Sequence, residues 1–147
     1  MPNYFPTHIK SKDVSTTDTP TLIMTVGLPR SGKTTWAKSS GFPVVNIDAI
    51  RLVTYGEVFI AEFESAIWAT AKVMVKSLFV YGYSTVVLDA CNITIFRRDE
   101  WIDSMWARSY ALFKADSSIC IQRAEEEKKF DLVTVIKRMA SYMEWPE

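Results

Sequence analysis

The chain has 147 residues, 17 basic and 17 acidic side chains, a formal net charge of zero and 48% apolar residues. This suits one domain with a core of its own. Balanced charge excludes a protein that coats nucleic acid by bulk electrostatics, yet leaves room for a pocket gripping one or two phosphates.

No apolar run reaches the roughly 20 residues that cross a bilayer, so no membrane partner is expected. Residues 1–20, rich in Pro, Ser, Thr and Asp, read as a flexible arm without the hydrophobic centre of a secretory leader. A cytoplasmic location is therefore expected. Cys91 and Cys120 form no spacing motif and read as reduced thiols; with His8 the sole histidine, they are not expected to ligate metal.

In chain order, Thr21–Val26 (TLIMTV) has the apolar, β-branched pattern of a buried parallel strand. Thr34–Ser40 reads as a helix ended by Gly41, and Pro43–Ile47 (PVVNI) as a second strand ending at Asp48. Apolar residues at Phe59, Phe63, Ile67, Ala71, Val75, Leu78 and Phe79 predict a long amphipathic helix over Val58–Tyr81, ended by Gly82. Ser84–Leu88 is a third strand, ending at Asp89. Thr94 is placed to cap a helix through Arg108. Ser109–Lys114 reads as a fourth strand, with helices over Ser117–Glu127 and Asp131–Met143. Strands alternating with helices predict an α/β three-layer domain, residues 21–147, around a parallel sheet of about four strands.

Gly27-Leu-Pro-Arg-Ser-Gly32-Lys33-Thr34 satisfies the phosphate-loop pattern G-x-x-x-x-G-K-[ST] at every fixed position, between a strand and a helix. Glycines let the backbone curl so that successive N–H groups face one anion. Lys33 then reaches the β- and γ-phosphates, and the Thr34 hydroxyl holds Mg²⁺. The ATP-binding set is Gly27, Arg30, Ser31, Gly32, Lys33, Thr34 and Thr35. Arg30 reads equally as a phosphate contact or as a solvated side chain.

Ligands of an open parallel sheet bind beyond the carboxyl ends of its strands. Asp48, with Arg51 three residues on, puts a carboxylate and a cation on one helical face. There Asp48 is either a general base for an acceptor hydroxyl or a cap for the next helix. Asp89 after Val86-Val87-Leu88 follows Walker-B logic, a carboxylate that holds Mg²⁺ or its water, or else forms a turn. Arg97 and Arg98 read as phosphate contacts or as a solvated helix face.

The stretches GLPRSGKTTWAK, VVNIDAIR and VVLDACNITIFRRDEW, with CIQRAEEEKKFDLVTVIKRMASYMEWP as a looser fourth, resemble the polynucleotide-kinase-like and zeta-toxin-like P-loop kinases. The likeness is strongest to the 5′-kinase domain of phage polynucleotide kinase. It implies a short helical lid, and ATP and Mg²⁺ as cofactors bound by Lys33 and Thr34. It makes Asp48 the general base and Arg51 a ligand for an acceptor phosphate. Asp89 falls near metal and acceptor, and Asn92, counted with Arg51 and Asp89 as acceptor-binding, lies with Arg98 in a structural or substrate-positioning shell. A phage-type enzyme at work in a bacterial host cytoplasm, with DNA as acceptor, follows from the same likeness. The lid pattern R-x-x-x-R is kept at Arg123, but its second arginine is Glu127 here, so Arg123 or Lys128 is left as the lid cation. No 3′-phosphatase activity is expected.

The leading expectation is an ATP-dependent kinase that phosphorylates a polynucleotide 5′-OH. Alternatives are a kinase of a hydroxymethylated base in phage DNA, a small-molecule or nucleoside kinase, and, from another class, a regulatory NTP-binding or hydrolysing switch. Tyr55, Phe59 and Trp68 are available to stack on an acceptor base or to pack in the core. The guanine-reading Asn-Lys-x-Asp of a GTPase is absent from the sequence.

Overall fold

The computed structural model describes residues 19–56 and 59–147. His8, Val58 and the expected arm up to residue 18 lie outside them. In chain order the elements are β1 (Thr21–Gly27), α1 (Lys33–Ser39), β2 (Val44–Asn46), α2 (Ile47–Tyr55), a 3-10 turn (Ala61–Phe63), α3 (Glu64–Tyr81), β3 (Thr85–Asp89), α4 (Ile95–Asp99), β4 (Ala107–Phe113), α5 (Ser117–Glu126) and α6 (Asp131–Tyr142). The four strands form one parallel sheet in the order β2-β3-β1-β4. This is the α/β arrangement of a P-loop kinase fold, and it bears out the architecture read from the sequence.

Side chains alternate across a strand, so Leu22 and Met24 of β1 and Val86 and Leu88 of β3 share one face. They pack with Ile67, Ala71, Val75 and Phe79 of α3 in the main core. Those four helical positions are spaced by four, which builds the single apolar stripe that holds α3 on the sheet. Gly82 ends α3 in a left-handed conformation (φ 116°), where its N–H reaches the carbonyls of Leu78 and Phe79. Leu28, Cys120, Ala124 and Ile136 form a second cluster, which seats the α5–α6 hairpin beside the phosphate loop.

Two expectations need correction. The helix predicted over Val58–Tyr81 begins only at Glu64, and Phe59 and Phe63 are exposed rather than buried on its stripe. Gly56 adopts φ 81°, and a 3-10 turn over Ala61–Phe63 intervenes. The helix predicted from Thr94 to Arg108 stops at Asp99, and β4 already begins at Ala107. Thr94 does cap it, its hydroxyl accepting from the Arg97 N–H at 3.2 Å. Trp101 and Trp106 explain the stop, since both join the main core. Five residues of helix would set them about 140° apart, on different faces. A turn brings them together instead, and the Trp106 indole donates to the Trp101 carbonyl at 2.9 Å.

Candidate active site

The loop from Gly27 to Lys33 joins the end of β1 to the start of α1. Gly27 cannot be replaced without a clash, because a Cβ there would meet the Ser31 Oγ at 2.7 Å and the Phe113 carbonyl oxygen at 2.8 Å. Gly32 takes φ 102°, and Arg30 is left-handed at φ 66° without being glycine. Strained backbone of this kind costs about 1–3 kcal/mol and clusters at functional sites. The Lys33 ammonium is buried and donates to the Leu28 carbonyl at 2.6 Å.

Toward the carboxyl ends of β2, β3 and β1 the side chains converge on Asp89, which is 3% exposed. Its Oδ2 accepts from the Thr34 hydroxyl at 2.8 Å and from Asn46 Nδ2 at 2.6 Å, while Oδ1 accepts from the Thr25 hydroxyl at 3.4 Å. A buried carboxylate needs such donors. A hydroxyl and a carboxylate oxygen side by side next to a phosphate loop are a hard-oxygen donor set suited to Mg²⁺. Thr34 and Asp89 would hold the ion and Lys33 the donor phosphates.

Asp48 lies in the first turn of α2, whose cap is Asn46, its side-chain oxygen accepting from the Ala49 N–H at 2.8 Å. The capping role weighed for Asp48 therefore belongs to Asn46. The Asp48 carboxylate is 87% exposed and accepts from Arg51 at 2.6 Å. Arg51 in turn forks onto Glu64, Nε at 2.9 Å and Nη2 at 2.5 Å. Burial alone would lower the guanidinium's pKa; the hydrogen bonds and charges of Glu64, then Asp48, outweigh it and raise it. Cys91 sits among Lys33, Asp48 and Asp89, close enough to feel their charges. Burial pushes its thiol up from the ordinary 9.0, against the opposing charge of Lys33. The phosphate loop and the start of α2 thus meet at Asp89, at the carboxyl ends of β3 and β2.

Asn92, expected at the acceptor, turns its Nδ2 onto the Thr25 carbonyl at 2.9 Å, and its own carbonyl accepts from the buried Arg98 at 2.8 Å. In that position it ties the end of β3 to β1. Arg97 and Arg98 are not a matched pair: Arg98 is buried, whereas Arg97 is part-exposed and lies 4.1 Å from the centroid of the Trp68 ring. Tyr55 stacks on Phe63 at 4.2 Å, and Phe59 lies under Arg51 at 5.6 Å.

A cleft of about 530 Å³ opens on the loop, lined by Arg30, Lys33, Thr34, Trp36, Arg123 and Glu127 among others. Of the two lid cations expected, Arg123 lines it, donating to the Arg30 carbonyl at 3.0 Å. Glu127 forms an ion pair with Arg30. Thr25, Asn46 and Glu64 were not singled out by sequence. Only Asn46 carries a signal there, a polar residue closing an apolar strand.

The chain matches the family model described as an AAA domain over residues 22–144. None of the curated proteins is significantly similar to it. Two similar solved structures are chains of the Pnkp1/Rnl/Hen1 complex and the Pnkp1/Rnl/Hen1 RNA repair complex. The first has TM-score 0.66 at 23% identity over 76% of this chain and 41% of that one. The second has TM-score 0.66 at 19% identity over 87% and 48%. The chain thus spans less than half the length of either. A gluconokinase from Sinorhizobium meliloti 1021 is similar with TM-score 0.59 at 17% identity, over 88% of this chain and 78% of that one. With its phosphate loop, its four-stranded parallel sheet and a family match across nearly its whole described length, the chain belongs to the AAA-domain family and has the fold of a P-loop kinase.

Proposed function

We propose that this chain is an ATP-dependent kinase that transfers the γ-phosphate to a nucleic acid hydroxyl, the 5′-OH of a polynucleotide. The observation that carries this reading is the continuous side-chain path from Thr34 through Asp89 to Asn46, whose helix bears Asp48 and Arg51. It sets a donor site and a base-plus-cation pair on one strand edge, which phosphoryl transfer to a hydroxyl requires. A GTPase-type switch has no use for the second half of that arrangement.

When bound, Mg²⁺-ATP supplies the phosphoryl group. Thr34 and Asp89 would hold the ion, and Lys33, now on the Leu28 carbonyl, would turn to the phosphates. Asp48, oriented by Arg51, accepts the proton of the acceptor hydroxyl. Arg51 then meets a phosphate of the acceptor strand, and Glu64 keeps its guanidinium in place. The likeness to chains of an RNA repair complex supports a nucleic acid acceptor; the likeness to a gluconokinase supports the second reading, a small-molecule hydroxyl. Transfer of labelled γ-phosphate from ATP to a panel of 5′-OH DNA, 5′-OH RNA, hydroxymethylated duplex, nucleosides and gluconate decides between them. Label on 5′-OH ends is expected. Label on a small molecule alone would overturn the nucleic acid assignment, and ATP turnover without any acceptor would overturn the kinase.

A further inference from the structure

A second cleft, about 450 Å³, lies between α3 and the α4 region, lined by Glu64, Trp68, Lys72, Arg97, Glu100 and Trp101 among others. We propose that it is the subsite for the base of the acceptor's 5′-terminal nucleotide, stacked on the Arg97 guanidinium; this rests on the acceptor reading above.

Three observations carry it. The first is continuity with the candidate base, since Glu64 lines the cleft and grips the same Arg51 that holds Asp48. A nucleotide seated in the cleft is therefore one side chain away from the pair that would meet its hydroxyl and phosphate. The second is the preset orientation of Arg97. Trp68 backs it at 4.1 Å, and Glu100 accepts from its Nη1 at 2.7 Å. Its side chain is 34% exposed, which leaves a planar cation open for a base to stack on. The third is an orphan, the Trp68 indole N–H, which is buried without an acceptor among the described residues. Buried donors without a partner are rare, and the residue that carries this one lines the cleft.

Charge decides the class of ligand. The cleft's lining is balanced, Arg97 and Lys72 against Glu64 and Glu100, with Arg97 already paired to Glu100, so it offers flat surface and hydrogen bonding rather than a strong grip on a phosphate. A planar, uncharged, polar-edged group matches that better than an anion.

The test uses the full chain and a short 3′-labelled 5′-OH oligodeoxynucleotide whose terminal nucleotide either carries its base or is abasic, with binding read by fluorescence anisotropy. Base stacking of the usual strength makes the base-bearing strand bind about 5- to 100-fold more tightly. Arg97→Ala is expected to erase that gap. Arg97→Lys, which keeps the charge but not the plane, is expected to erase it too. Equal binding of both strands by the wild type would overturn the proposal, as would a gap that survives in both variants. Phosphate transfer to the same strands separates the two readings. Transfer without base discrimination sinks the subsite and leaves the kinase standing. Failure to phosphorylate any oligonucleotide sinks the acceptor reading and the subsite with it.

Discussion

Asp48→Asn separates chemistry from structure because the two effects differ in size. The carboxylate is 87% exposed, and its contact with Arg51 is an i,i+3 pair on a helix surface. Such pairs contribute about 0.3–0.5 kcal/mol in water. Arg51 keeps its two-pronged bond to Glu64 in the variant, so no buried cation is stranded. Asn46 still caps α2. The expected loss of stability is therefore under about 1 kcal/mol, a melting shift of roughly 2–4 °C for a chain of this size. Loss of a general base, by contrast, lowers kcat by about 10²–10⁴-fold, equivalent to about 3–5 kcal/mol in the barrier. Steady-state transfer to a 5′-OH oligonucleotide and a thermal melt on the same preparation read both. ATP affinity should hardly change. A kcat within about tenfold of wild type would refute the base assignment, and a melting drop far beyond a few degrees would refute the structural half of the reasoning.

Lys33→Ala should abolish transfer and weaken ATP binding while leaving the circular dichroism spectrum unchanged; near-wild-type turnover would contradict the phosphate-loop reading. Arg51→Ala should raise the KM for an oligonucleotide far more than the KM for ATP, measured by varying one substrate at saturating levels of the other. Because net charge is zero, acceptor binding should respond weakly to salt, with a log–log slope between about −0.7 and −2 for one to three phosphate contacts to a single strand. The Cys91 thiol has its pKa raised above 9.0 by burial, so the folded state holds that proton more tightly than the unfolded state does. Its contribution to stability is full below pH 9 and lost as pH rises through the folded value, so melts from pH 8 to 10.5 should fall less steeply in Cys91→Ala than in wild type.

The strands that carry the site were legible because a buried parallel strand is a short apolar run, whatever its neighbours. Thr21–Gly27 and Thr85–Asp89 fall within a residue of their predicted ends. Lys33, Thr34, Asp48 and Asp89 were legible for a related reason: each is a polar residue at the end of such a run or inside a spaced glycine pattern. Thr25 and Glu64 were not, and Asn46 only as a polar residue closing an apolar strand. Asn46 and Thr25 meet Asp89 from 43 and 64 residues away through the order β2-β3-β1, and Glu64 meets Arg51, 13 residues back, where α3 packs on α2. The helix boundaries failed where tertiary packing outweighed periodicity. Phe59 and Phe63 fit the spacing of α3 but precede it, and the core's demand for both Trp101 and Trp106 broke a helix that local sequence alone would continue.

The acid at position 127 changes how the lid can work in the kinase proposed here. Besides the apolar seat on Leu28, the hairpin's polar ties to the phosphate loop both fall on Arg30, with Arg123 on its carbonyl and Glu127 on its guanidinium. Among the cleft-lining residues named above, three cations face one acid, and that acid is already engaged. A guanidinium bonded to a carboxylate is a weaker ligand for a further anion, so Arg30 is the least available of the three. Lys33 and Arg123 are different, since each rests on a neutral backbone carbonyl. A phosphate oxygen adds the attraction of a full negative charge that a carbonyl lacks, so a bound phosphate would draw both side chains off their carbonyls. Glu127 therefore does more than leave a gap where a second lid arginine is implied. By occupying Arg30 it keeps the loop and hairpin joined, and in the proposed kinase the transferring phosphoryl group would fall to Lys33 and Arg123.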